Sequence, residues 1–422
     1  TQPAGDTGRY ALSLGEPVTM YPPVAKSAPD GILVDTGAFS ATFDANGVRF
    51  YLDGDLAAGP LTSRIWTRER AEETVRPYTL PLTNGVIERN GPVTAVVKFE
   101  GWHESEGDRI SPSVVRLTFT RGKPFVRISH TFVLSADPAN TLVTGIELIA
   151  ALRSAPDTLG YLDALVSKTA PIRDHTATIL QRNVAERQYP HRANEFVGSY
   201  AVGVGGDELA SGERYPGAVS FVGADVTVGV YMDQFWQMSP KAIRYAPDTN
   251  ALALGLWPSE GAGELDMART EVRRPTHYQE FATSDPLYQD RKYGPEYVPH
   301  DLEHSAMGVA RTHDAVLWFA RDATEVDPLK LYLLFRLPYT PFVSGDWNVA
   351  TGVMGKQVAP GAYRPDLGDA NLRILDELWN RVEQHGWYGW LEHRNLRYAY
   401  DKLRAAGTPY HPKYAWDTRG HM

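Results

Sequence analysis

Residues 90–132 read NGPVTAVVKFEGWHESEGDRISPSVVRLTFTRGKPFVRISHTF. Three runs within this stretch alternate apolar residues with polar or smaller ones. They are Val93, Ala95, Val97 and Phe99; then Val115, Leu117 and Phe119; then Val126, Ile128, His130 and Phe132. A period of two puts every second side chain on one face, so each run is a strand with one buried side. Turn residues punctuate the runs: Asn90-Gly91-Pro92, Arg121-Gly122-Lys123-Pro124 and Ala136-Asp137-Pro138. Strands joined this way pair antiparallel, and half-buried antiparallel sheets stack face to face. The stretch predicts a β-sandwich.

Working outward, strand patterning extends from residue 31 to about residue 360, with clear strands at 218–221, 226–232 and 251–256. Residues 154–215 and 258–306 are polar and less regular, and read as long loops across a sheet face. The period changes near residue 366. Leu372, Leu375, Trp379 and Val382 recur at helical spacing before Gly386, and a second helix fits 394–406, with Leu396, Tyr400 and Leu403 on one side and Gly407 at its end. The expected organisation is a linker or domain remnant at 1–30, a β-sandwich domain at 31–365 and the start of a helical domain at 366–422. The fold class is therefore mainly β: a large antiparallel, supersandwich-like β-sandwich followed by helices.

Composition narrows the function. A net charge of −9 over 422 residues argues against nucleic acid and against a polybasic membrane patch. It leaves room for a local cationic cleft that binds an acidic polysaccharide or oligosaccharide. The chain has no cysteine, which excludes disulfides and thiolate metal sites. No apolar run reaches the length of a membrane span, and residues 1–8 carry no signal pattern. The 10 Trp and 22 Tyr offer apolar faces with polar tips, which suit sugar rings as well as a β core.

Four segments could carry chemistry. In 308–320, GVARTHDAVLWFA, residues two apart share a face, so Arg311 and His313 project together, with Leu317 and Phe319 beyond them. Such a pair suits β-elimination from a uronate. A cation neutralises the carboxylate and so acidifies the neighbouring carbon, and a near-neutral base takes the proton. In 233–241, Trp236 can stack on a sugar, Gln237 can bond hydroxyls and Lys241 can neutralise a carboxylate. In 337–348, Tyr339 is a candidate acid for the departing oxygen. The run 385–395 combines Trp387, His393, Arg394 and Asn395 at a domain end, where clefts form. Among other histidines, His130 reads as a core residue beside Ile128 and Phe132, and His103 as an exposed residue near a strand end. His300, Glu303 and His304 lack the helical spacing of a metal site. No phosphate loop or nucleophile elbow is present.

Several of these segments, in order, resemble a known family: 32–38 (ILVDTGA), 90–93 with 98–101, Phe235-Trp236-Gln237 with Pro240-Lys241, Leu256-Trp257-Pro258, and Ala310-Arg311-Thr312-His313. They look like the central β-sandwich of the exo-rhamnogalacturonan lyase-like polysaccharide lyases and their bacterial relatives. The resemblance implies an N-terminal domain before the sandwich, an α/α toroid begun by the C-terminal helices, and action on uronate-containing polysaccharides.

The expected function is thus β-elimination in a rhamnogalacturonan-like glycan, with no metal or cofactor required. His313 is the base, Arg311 or Lys241 neutralises the carboxylate, and Tyr339 or His393 assists the leaving group. Trp236, Gln237, Trp387, Arg394 and Asn395 bind sugar. The alternatives are a glycoside hydrolase using two of Asp233, Glu303, Asp314 and Glu392, or a non-catalytic glycan-binding module. The expected setting is secreted or periplasmic. A second copy of the chain, forming a homo-oligomer that completes the groove, is a further partner this reading allows.

Overall fold

The computed structural model describes residues 21–137, 140–182, 199–260, 265, 308–336, 345–352, 355, 373, 374, 376 and 380. Strands are numbered along the chain. The 90–132 stretch forms the hairpins its alternation dictates: β8 (Thr94–Ser105), β9 (Asp108–Thr120) and β10 (Phe125–Val133) are antiparallel neighbours, with Arg116 opposite both Lys98 and Ser129. Ala95, Val97, Phe99, Val115, Leu117, Phe119, Val126, Ile128 and Phe132 are all at most 2% exposed. Val93 departs from the pattern, because it lies in the turn before β8 and points into solvent.

The first layer continues from β10 to β21 (Ala310–Ala320), β18 (Thr227–Met232), β17 (Ala218–Gly223), β12 (Pro156–Asp163) and β13 (Val166–Pro171). β7 (Val86–Asn90) lies on the other edge, against β8. The second layer runs β16 (Asp207–Gly212), β15 (Tyr200–Val204), β14 (Ala177–Gln181), β19 (Lys241–Ala246), β20 (Ala251–Trp257), β11 (Thr141–Leu152) and β5 (Asp55–Glu69). Beyond β5 come β4 (Gly47–Leu52), β3 (Ser40–Asp44), β2 (Gly31–Asp35) and β1 (Ala25–Ala28). β6 (Val75–Pro81) also pairs with β5, and Thr79 meets Glu104 of β8, which stitches the layers at one corner.

Aromatic rings fill the space between the layers. Phe43 of β3 meets Phe119 of β9 edge-on at 5.7 Å, Phe50 of β4 meets Phe319 of β21 at 5.2 Å, and Phe221 of β17 meets Tyr245 of β19 at 6.0 Å. Burying such side chains is the main favourable term in a fold of this kind.

Three differences from the sequence reading have physical causes. The span expected to be loops holds β12 to β16, strands of five to eight residues too short to register a period; β12 and β14 expose no residue, and β13 buries only Ala170. Among the described residues the last strand ends at Ala320, and helix α1 (Pro328–Arg336) follows inside the span read as strands. The apolar run Leu331 to Phe335 fits either element on periodicity. What selects the helix is its start: Asp327 accepts hydrogen bonds from the amides of Leu329 and Lys330, and Pro328 occupies the first position. A second helix, α2 (Gly345–Thr351), also falls inside the expected strand region. Of the C-terminal helices, Arg373, Ile374, Asp376 and Asn380 are helical. Leu372, Leu375, Trp379, Val382 and 394–406 lie outside the described residues.

α1 packs on the outer face of the first layer, across β18 and β17. The ring of Phe335 meets Phe125 edge-on at 5.1 Å and stacks near Tyr231 at 5.8 Å. A Cβ on Gly229 would lie 2.8 Å from Leu331 and 3.1 Å from Val326, so the absence of a side chain there lets the helix sit down.

Candidate functional site

β21 is a central strand, but its first residues outrun one neighbour. β10 pairs with it from Ala310 to Trp318, whereas β18 pairs only from Ala315 onward. Beyond Met232 the chain turns away through 233–238, and the Asp233 amide donates to the Asp314 carbonyl at 2.9 Å. A cavity of about 350 Å³ opens between this overhang and the turn, lined by Asp233, Gln234, Met238, Ala310, Arg311, Thr312 and Asp314.

The turn is locally constrained. Gln234 adopts φ 49, a left-handed conformation that costs a non-glycine residue of order 1 kcal/mol and persists only where surroundings impose it. Its carbonyl accepts from the Met238 amide at 2.8 Å. Gly217 sits beneath at φ +85, and a Cβ there would meet the Met232 carbonyl at 2.5 Å. The two wall carboxylates are held by hydroxyls: Tyr231 donates to Asp233 at 3.0 Å, and Ser129 donates to Asp314. Burial, with Asp233 adding to it, pushes the Tyr231 phenol well above its ordinary range and keeps it a donor.

Arg311 and His313 do share a face, and it is the inner one. Arg311 is half-buried on the cavity wall. Its guanidinium makes no hydrogen bond or ion pair with any described residue, and its Nε is buried without a partner. Burial lowers its pKa. His313 lies one step deeper, 3% exposed, stacked on Phe132 at 5.8 Å. Burial holds its pKa well below 6.5, and Lys241, Arg311 and His130 push the same way. It stands behind the wall, whereas a direct base must reach its proton.

Lys241 opens β19 in the opposite layer and is completely buried. Its ammonium donates to the Asp233 carbonyl at 2.6 Å. Burial lowers its pKa to about 7, with Asp233 and Asp314 opposing the shift and Arg311 adding to it. It too is buried and lies off the cavity lining. Trp236 is half-buried in the turn, with the Arg214 guanidinium 4.4 Å over its ring, and Gln237 beside it is off the cavity lining. Tyr339, Trp387, His393, Arg394 and Asn395 lie outside the described residues, as do His300, Glu303, His304 and Glu392.

The structure adds a polar core that the sequence reading missed. His103, expected to be exposed, is fully buried, because β8 continues to Ser105 and folds its face onto β5. Ser63 of β5 lies 2.8 Å from His103 Nε2 and 2.7 Å from His130 Nε2. His103 Nδ1 faces the Ser111 carbonyl at 2.8 Å and must donate to it. Burial lowers His103 to about 4, so the ring is neutral near pH 7 and its Nε2 accepts the Ser63 proton. His130 Nε2 therefore donates to Ser63 Oγ. Burial first, and His103 second, lower His130 to about 3, which leaves its Nδ1 a bare acceptor with no partner. His130 is cross-strand neighbour to His313, so polar groups continue from Ser63 to the cavity wall. Of the wall residues, Met238 and Thr312 carried no signal of their own in the sequence. Among the described residues, no group of three His, Cys, Asp or Glu is placed to hold a metal ion.

Comparisons with known proteins add the following. Residues 24–156 match the family model of the PcRGLX-like protein central beta sandwich domain. Among solved structures, a protein in glycosyl hydrolase family 38 from Enterococcus faecalis is similar at TM-score 0.41 and 10% identity, with 76% of this chain and 32% of that chain covered. A putative aldose 1-epimerase from Escherichia coli K12 gives 0.30 and 9%, covering 69% and 98%. A galactose mutarotase-like protein from Lactobacillus casei gives 0.32 and 7%, covering 68% and 99%. No curated protein matches the chain. Residues 24–156 are thus similar to the PcRGLX-like central beta sandwich domain, in line with the resemblance read from the sequence.

Proposed function

We propose that this chain belongs to a carbohydrate-processing enzyme that cleaves a uronate-containing glycan by β-elimination, with Arg311 as the group that meets the carboxylate. One observation carries the reading: Arg311 presents a half-buried guanidinium to the cavity without an ion pair among the described residues. A buried cation without a counter-ion is costly, and a ligand carboxylate supplies one in the bidentate geometry a guanidinium favours. The rhamnogalacturonan lyase-like sandwich domain supports the same substrate class.

In the reaction, Arg311 spreads the charge that develops on the uronate carboxylate as the adjacent C–H bond breaks. The carbon's electron pair forms a double bond to the neighbouring carbon. The C–O bond to the departing sugar breaks, and that oxygen takes up a proton. Asp233 or Asp314, the ionisable groups on the cavity wall, takes the proton released from carbon, and His313 backs Arg311 from inside. Tyr339 and His393 remain proposed proton donors to the leaving oxygen.

The presence of Asp233 and Asp314 in one cavity also favours a second reading, hydrolysis by a carboxylate pair. The products separate the two. Rhamnogalacturonan, polygalacturonate and glucuronate-rich glycans are incubated with the protein, and the ultraviolet absorbance of the unsaturated product is followed. The lyase reading expects that absorbance to rise, and expects Arg311→Ala to lower kcat/KM by about 100-fold or more. New reducing ends without the absorbance establish hydrolysis. Neither signal on any acidic glycan sinks the enzymatic reading and leaves glycan binding alone.

A further inference from the structure

We infer that Lys241 is a specificity-determining residue of the Arg311 cavity: from beneath the wall it supplies a second positive charge that selects an anionic sugar over a neutral one, without touching it. This rests on the reading of the cavity given above and goes beyond it in naming what sets the preference for charge.

The geometry is an inter-layer sandwich of charges. Lys241 projects from β19 of the second layer, and its ammonium is fixed by the Asp233 carbonyl, on the cavity wall. From β21 of the first layer it meets the fields of Arg311 and Asp314. His313, on the same strand, is in turn pushed down by Lys241 and by Arg311. Gln181 of β14 is its cross-strand neighbour and does not ionise. Tyr231, bonded to Asp233, stays a neutral donor, and His130 behind His313 stays neutral.

Two cations and the Asp233 and Asp314 carboxylates thus share one low-dielectric corner, where charges interact far more strongly than in water. Burial still holds the ammonium down, so an anion arriving at Arg311 favours the charged amine further, whereas a neutral sugar does not. Arg311 keeps its charge across the accessible pH range, and His313 is already neutral there. Lys241 is therefore the group in this corner whose charge changes near neutrality, being lowered to about 7. Linkage requires that an anion which prefers the charged amine also draws a proton onto it.

The test is isothermal titration of the full chain with trigalacturonate and with its carboxyl-reduced counterpart, at about pH 6 and about pH 8.5, on either side of the Lys241 transition. Wild type is expected to bind the anionic sugar about tenfold more tightly at the lower pH. Near pH 8 binding should take up a fraction of a proton, read from buffers of different ionisation enthalpy. Lys241→Met should bind the anion at the weaker level at both pH values, without proton uptake, and leave the neutral sugar unchanged. Lys241→Met leaves the Asp233 carbonyl without its donor, so the variant's thermal melt is recorded beside its titration. The proton-uptake measurement on wild type stands in any case.

A Lys241→Met variant that tracks wild type in pH dependence and proton uptake overturns this inference, as does wild-type binding that neither varies with pH nor takes up protons. If wild type and Arg311→Ala bind trigalacturonate equally, or neither binds it, the cavity reading itself fails. If one of the outcomes against Lys241 is seen while Arg311→Ala does lose trigalacturonate, only the role of Lys241 is rejected.

Discussion

The hydroxyl of Ser63 has one proton and two imidazole neighbours. That proton goes to His103, and His130 must donate in return. Ser63→Ala strands both ring nitrogens in the core, and is expected to cost roughly 2–4 kcal/mol, measured by urea unfolding. The same histidines set the acid limit. In the unfolded chain they protonate near 6.5, but in the fold only near 4 for His103 and near 3 for His130. The unfolded state therefore binds more protons in that window, and stability falls as pH drops from about 6.5 toward 4. For His103 alone the gap is worth roughly 3 kcal/mol. Thermal melts at falling pH should show a declining Tm, and His103→Gln should flatten the decline. At this scale the sequence was partly legible. The alternation in 308–320 placed Arg311 and His313 on one face, but alternation does not say that the face is interior at His313 and open at Arg311. Lys241 was recognisable as a cation beside Asp233, whereas its burial depends on β21, far along the chain.

The turn after β18 and helix α1 show what single elements contribute. The turn exists because Gly217 accepts a backbone conformation and a contact that a Cβ forbids. Gly217→Ala should therefore destabilise the protein by roughly 1–2 kcal/mol and weaken ligand binding at the cavity, read by unfolding and by titration together. An effect on stability with binding intact would separate the turn from the cavity. On α1, Phe335→Ala removes a ring that touches Phe125, Tyr231 and Trp318, and should cost roughly 3 kcal/mol. Strands with one dry face were legible from residues 90–132. The five strands within 156–212 were not: they are short, and β12 and β14 are covered on both faces, so no apolar–polar alternation marks them. Helix α1 was lost for the opposite reason, because a continuous apolar run has no period to read.

For the whole molecule, the order of strands matters more than their number. β21 pairs with β10, nearly two hundred residues earlier, and with β18. It is the middle of the first layer, although it is the last strand among the described residues. The layer therefore closes only when distant segments meet, which predicts slow folding and a single cooperative transition. Tryptophan fluorescence and the far-ultraviolet strand signal should lose their native values at the same denaturant concentration. Separate midpoints would mean that the two layers unfold independently. The chain carries an excess of negative charge, yet Arg311 on the cavity wall and Lys241 beneath it come together at one corner. That concentration is a property of the assembled sandwich.

The overhang at the start of β21 has one more consequence. The carbonyls of Val309 and Asp314 point to opposite sides, one to Leu134 after β10 and the other to Asp233. By the alternation of a strand, the main-chain groups of Thr312 then face away from β10, toward the cavity, with no strand beside them among the described residues. Part of what a ligand meets there is main chain, written in no side chain and untouched by ordinary substitution. Deuterium would reveal it. The Thr312 amide should exchange quickly in the free protein and slow down when sugar binds, while the amides of Arg311 and His313 stay slow in both states.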